Sequence, residues 1–237
     1  MRFSLPSSIG SKPVCAAPSC CRKWRWVDPE LTRGLPPAVI AGTGLDALTQ
    51  LIEPYVCLRA NPVTDALCEK GIRAARSLRA AFENGGTDAA REDMALASLL
   101  GGLALSNAGL GTVHGLAGAI GGMFAAPHGA VCGALLPQVM RVNLAALTCR
   151  EPSSPALRRY EEIAQWLTGQ SGALAHDGIE WVRQLVADLQ IPKLGNYELT
   201  PGTMAEVIEK AKNANSTKSN PIALTSEELA EILEVAM

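Results

Sequence analysis

At 237 residues, with 48 % hydrophobic side chains, the chain is long enough to bury a core as one large domain or two small ones. Its 21 basic and 23 acidic residues leave a formal net charge of −2 with the signs interspersed, which argues against nucleic acid or an anionic membrane as the natural partner. Only 4 % of residues are aromatic, so the core must come from Ala, Leu, Val and Ile, and no run approaches the roughly 18 apolar residues of a membrane span.

Residues 1–26 carry Arg2, Lys12, Arg22, Lys23 and Arg25 with no acidic residue, and are rich in Ser and Pro. They are expected to form a disordered basic leader or transit-like segment, in which Cys15, Cys20 and Cys21 are free thiols because no partnering cluster exists elsewhere. Residues 27–237 are expected to form one all-helical domain. Apolar residues recur at three- and four-residue spacing over 41–57, 62–82, 88–108, 112–124, 130–147, 155–168, 173–189, 201–214 and 226–235. Gly85-Gly86, Pro127, Pro152, Gly169, Pro192 and the polar stretch 213–221 supply the stops. Thr200 before Pro201, and Thr225 with Glu228 three residues on, predict helix N-caps, the second a capping box. No alternating β pattern of useful length and no repeat period appear, so the fold class is all-α, a packed multi-helix array. Cys57, Cys68, Cys132 and Cys149 sit singly inside helical patterns and read as small buried hydrophobes of a reducing compartment. The expected location is cytoplasmic, or an organelle if residues 1–26 are a transit peptide.

Gly42-x-Gly44-x-x-Ala47 imitates a dinucleotide fingerprint, but no strand-helix-strand unit surrounds it, and it reads as a helix-start turn. With no phosphate loop and no acidic ribose partner visible, the chain by itself is not expected to bind NAD(P).

Two of the three histidines, His114 and His128, stand fourteen residues apart in one small-residue segment. The apolar run up to Gly122 predicts a tightly packed helix from whose wall His114 projects, and Pro127-His128-Gly129 predicts a turn feeding the next helix. Both imidazoles can then converge on one point. A catalytic Zn or Fe(II) site usually takes three protein ligands, so a carboxylate is needed, and Asp46 is the best upstream candidate, with Gln50 one turn later on the same helix face. Spacing alone leaves the ordinary reading standing beside this one: a histidine in an apolar helix is more often a satisfied core residue, and Asp46 suits a helix N-terminus.

The stretches Val27-Asp-Pro-Glu-Leu-Thr-Arg-Gly-Leu-Pro-Pro, Gly44-Leu-Asp-Ala-Leu-Thr-Gln-Leu-Ile-Glu-Pro-Tyr, Asn61-Pro-Val-Thr-Asp-Ala-Leu and Asn107-Ala-Gly-Leu-Gly-Thr-Val-His resemble the iron-containing (group III) alcohol dehydrogenases. So do Ala126-Pro-His-Gly-Ala-Val, Leu136-Pro-Gln-Val-Met-Arg-Val-Asn and Asn220-Pro-Ile-Ala-Leu-Thr. The resemblance runs in order from about Val27 to the C-terminus and covers only that family's helical, metal-carrying C-terminal domain. It implies a divalent metal, Fe or Zn, held by Asp46, His114 and His128, with Gln50 where the family has a fourth ligand, a histidine. It also implies a lost histidine near the substrate, at Gly118. An amide oxygen is a harder, weaker donor than imidazole, so affinity should fall and preference drift toward oxygen-loving ions.

The function implied is an NAD(P)-linked alcohol dehydrogenase acting on a small-molecule alcohol or carbonyl substrate, with NAD(P) bound only if a missing N-terminal domain is supplied. Two alternatives stand beside it: a carbonyl reductase of the maleylacetate type with weak or no metal, and a non-catalytic helical remnant serving as an interaction module. The cleft-facing side of such a half should expose an apolar face, open to a homo-oligomer or another partner.

Overall fold

The computed structural model describes residues 26–83 and 86–237. The expected leader, with Cys15, Cys20 and Cys21, lies outside the described residues apart from Trp26. Ten α-helices and no strand occur among those described. A 3-10 turn, Pro29–Thr32, precedes α1 (Pro37–Val56), α2 (Pro62–Ala75), α3 (Leu78–Phe82), α4 (Asp88–Asn107) and α5 (Thr112–Met123). Then come α6 (His128–Arg150), α7 (Pro155–Thr168), α8 (Ala175–Asp188), α9 (Pro201–Asn213) and α10 (Ser226–Ala236).

Helix α1 is the central post, packed against α2, α4 and α6. Leu45, Leu48, Leu51 and Ile52 on it are almost wholly buried, as are Val131, Leu135, Leu136 and Val139 on α6. α7 and α8 pair as a hairpin beside α6, while α9 and α10 close over α5 and α6. Local chemistry sets most boundaries. Asn61 accepts hydrogen bonds from the Val63 and Thr64 amides at the start of α2, and Thr225 and Glu228 form the expected reciprocal cap on α10. Gly169 ends α7 in the left-handed region at φ 75°.

Four expectations are corrected. The helix expected over 62–82 breaks at Arg76 and Ser77, where the Ser77 amide turns back to the Ala74 carbonyl and its hydroxyl donates to Asp93; neither Gly nor Pro marks the spot. Gly42 and Gly44 lie inside α1, not in a turn before it, because the helix already starts at Pro37, whose fixed φ and missing amide hydrogen suit a first turn. Cys149 is exposed near the end of α6, and Cys57, buried as expected, is the cap after α1 rather than a helix-interior residue. α6 is long and apolar enough to cross a membrane; 78 % of its apolar window is buried within the fold, which makes it a core helix here.

Candidate metal centre

Asp46, Gln50 and Glu53 sit at successive turns of one face of α1. His114 lies in the first turn of α5, and His128 is the first residue of α6. α1 and α6 are brought together by a glycine pair. A Cβ on Gly42 would lie 3.3 Å from the Ala130 nitrogen, and one on Gly129 would lie 2.3 Å from the Gly42 carbonyl oxygen, so the backbones touch where side chains would hold them apart. One turn beyond Gly42, this contact delivers Asp46 to His128.

The start of α5 is held by side chains from elsewhere, since its N-cap, Gly111, has none to offer. Asn220 accepts a hydrogen bond from the Thr112 amide at 3.2 Å, and Glu53 accepts from the Val113 amide at 2.7 Å. The other oxygen of Glu53 is 2.6 Å from Nδ1 of His114. A buried carboxylate therefore caps the helix and fixes the imidazole at once, placing the donor hydrogen on Nδ1 and turning Nε2 inward.

What Nε2 faces is another acceptor. It lies 3.3 Å from Oδ1 of Asp46, whose other oxygen takes a hydrogen bond from the Gln50 amide nitrogen at 2.9 Å. Both Asp46 Oδ1 and His114 Nε2 are buried without a hydrogen-bond partner. Nε2 of His128 approaches the same oxygen at 3.7 Å, and Sγ of Cys132, one turn further along α6, lies 3.5 Å from that nitrogen. Donor atoms of Asp46, His114, His128 and Cys132 all lie within 4.8 Å of one another.

These spacings suit a cation. Bonds of about 2.0–2.1 Å to nitrogen and oxygen and about 2.3 Å to sulfur give tetrahedral edges of about 3.4 Å for N···O and about 3.6 Å for N···S. The distances of 3.3, 3.7 and 3.5 Å bracket those edges. A buried pair of unpartnered lone pairs is costly, and either a proton or a metal ion relieves it.

In the metal-free cluster the proton takes that place. Burial opposes charge on His114, but Glu53 and Asp46 outweigh it and lift its pKa to about 9. Burial likewise works against the Asp46 carboxylate, yet His114, His128 and Gln50 hold its pKa below the usual range. His128 is pushed below its ordinary value by burial, only partly offset by Asp46. The Cys132 thiol is driven well up by burial and by the Asp46 and Glu53 carboxylates. The His114 side chain is 8 % exposed and that of His128 48 %, so the cluster opens to the surface on the His128 side.

Of the residues singled out by spacing, Asp46, His114 and His128 thus come together, and Gln50 stands beside them as a hydrogen-bond partner of Asp46. Sequence reasoning missed Cys132 and Glu53. Cys132 was legible as the residue four after His128; Glu53 was legible as the third position on the Asp46 face. At Gly118 a Cβ would meet nothing within 4 Å among the described residues, so packing against a neighbouring helix does not require the glycine.

Comparison with known proteins gives a consistent picture. Residues 40–237 match the model of the Fe-containing alcohol dehydrogenase family, C-terminal. The chain is 40 % identical over 219 residues to 1,3-propanediol dehydrogenase of Citrobacter freundii, covering 88 % of this chain and 54 % of that protein. It is 37 % identical over 212 residues to alcohol dehydrogenase 4 of Schizosaccharomyces pombe, covering 89 % and 48 %. Among solved structures, a 1,3-propanediol oxidoreductase superposes with a TM-score of 0.81 at 36 % identity, covering 89 % of this chain and 55 % of the other. The alcohol dehydrogenase from Oenococcus oeni superposes with a TM-score of 0.79 at 34 % identity, covering 89 % and 54 %. The chain spans about half the length of the curated relatives it matches.

Proposed function

The chain belongs to the Fe-containing alcohol dehydrogenase family, and from that premise we propose that residues 27–237 form the metal-holding half of an NAD(P)-linked oxidoreductase acting on a small alcohol or its carbonyl counterpart. Asp46, His114 and His128 would hold a divalent metal, Fe or Zn, with Gln50 in attendance. Bound there, the ion supplies Lewis acidity to a substrate oxygen. The protein's own residues do the positioning. Glu53 fixes the tautomer and angle of His114, Gln50 orients Asp46, and the half-exposed edge of His128 leaves the cluster reachable from outside.

The observation that carries this reading is the facing pair of buried, unpartnered atoms, Asp46 Oδ1 and His114 Nε2, at 3.3 Å. Elemental analysis of the purified chain, after metal stripping and reloading with Zn(II) or Fe(II), should find one ion per chain. Asp46→Asn and His114→Ala should each abolish retention. Equal metal content in all three proteins would overturn the assignment and leave the fold as an interaction module.

A further inference from the structure

Gln50 occupies the position where a fourth ligand was expected, yet its amide nitrogen is turned to Asp46. The space beside Asp46, His114 and His128 is filled from α6. Cys132 is buried in the wall of α6, one turn beyond His128, and its sulfur meets the imidazole nitrogen rather than the apolar core alone. Helical spacing by itself puts Cys132 beside His128, but the sulfur also lies within 4.8 Å of the Asp46 and His114 donor atoms, which come from two other helices.

Resting on the reading of this cluster as a metal site, we infer that Cys132 is a protein ligand: the chain carries an Asp46–His114–His128–Cys132 donor set in which a thiolate stands in for a missing imidazole, and a substrate oxygen would enter as a fifth donor. The separation of 3.5 Å between Cys132 Sγ and His128 Nε2 matches the N···S edge of about 3.6 Å that one tetrahedral ion would span. Coordination displaces the thiol proton to the buffer and converts the sulfur into the softest donor of the set. The site is therefore retuned rather than degraded. Its preference moves toward Zn(II), Co(II) and other thiolate-binding ions and away from Mg(II) and Mn(II), the reverse of the drift toward oxygen-loving ions expected from Gln50 alone.

Cobalt(II) is the probe, because a thiolate ligand adds a near-ultraviolet sulfur-to-metal charge-transfer band to the visible bands of a tetrahedral ion. Cys15, Cys20 and Cys21 are replaced by Ser in every protein used, so that the leader thiols contribute nothing. The parent chain, stripped and titrated with Co(II), should show both features at one equivalent. Cys132→Ser should keep the visible bands and lose the near-ultraviolet one, with Zn(II) affinity, read by competition with a chromogenic chelator, falling by about 10- to 100-fold. Cys132→Ala guards against a serine oxygen acting as ligand and should behave alike. Visible bands in the parent without the near-ultraviolet band, or a band that survives in both variants, would overturn the thiolate and leave the Asp46, His114 and His128 site standing. Failure of the parent to take up Co(II) or Zn(II) would overturn both.

Discussion

Glu53 is 4 % exposed, and a carboxylate so deeply placed is tolerable only because each oxygen has a partner, the Val113 amide on one side and His114 on the other. Its charge has a consequence for pH dependence. The metal-free His114 has a folded pKa raised from 6.5 to about 9, so the protonated form stabilises the fold fully below about pH 6.5, and that contribution is lost as pH rises through 9. Thermal midpoints measured in chelator should therefore decline between pH 6.5 and 9, and Glu53→Gln, which removes the larger attraction, should flatten that decline. Added Zn(II) should reverse the trend, since the ion displaces the same proton and binds more tightly as pH rises. An identical pH profile for parent and Glu53→Gln would show that His114 does not carry the charge. The convergence of Asp46, His114 and His128 was readable from the sequence because helical spacing aligns donors of the types that a metal site would need. Cys132 and Glu53 left only a spacing signal, four residues after His128 and one turn after Gln50, which was passed over because a buried thiol looks like an apolar residue in any pattern and a carboxylate that serves another side chain leaves no mark of its own in composition.

At the scale of elements, the site depends on how closely α1 and α6 approach. A methyl group on Gly129 would lie 2.3 Å from a backbone oxygen of α1, and no flexible side chain is available to yield. Gly129→Ala should push the start of α6 away, costing about 1–3 kcal/mol of stability and moving His128 off Asp46, so metal affinity drops with it. Gly118→Ala is the matched control: its methyl meets open space, helix propensity gains about 0.5–1 kcal/mol, and affinity should not change. Chelator competition and thermal unfolding on the two variants read both effects, and equal behaviour would remove the glycine contact from the account. Most helix boundaries were legible because Pro, Gly and capping side chains write them into the sequence, as at Pro155, Gly169 and Thr225. The break between α2 and α3 was not, since it is made by a Ser77–Asp93 hydrogen bond to a helix that the local sequence cannot see.

At the scale of the whole molecule, the described residues contain no strand, and hence no strand-loop-helix unit on which a pyrophosphate could rest. The 237-residue chain alone should bind a metal yet show no nicotinamide-dependent oxidation of simple alcohols. A spectrophotometric assay at 340 nm with the purified 237-residue chain decides the matter. NADH or NADPH formation that vanishes in His128→Ala would place the hydride acceptor on this chain after all. Mixing in a nucleotide-binding half from a relative should, on the same view, produce turnover that neither piece has alone.

Asn220 reaches across from the segment between α9 and α10 to cap α5, while bonding Asn143 of α6, which in turn bonds Tyr160 of α7. This ties the order of synthesis to the order of assembly. The ribosome releases Asp46, His114 and His128 well before Asn220, so a nascent chain would hold its donors without the support that aims them. Were Asp46, His114 and His128 to hold a metal, its capture would wait for the last stage of translation, and a chain cut short before residue 220 would carry His114 on a helix whose start lacks its Asn220 cap.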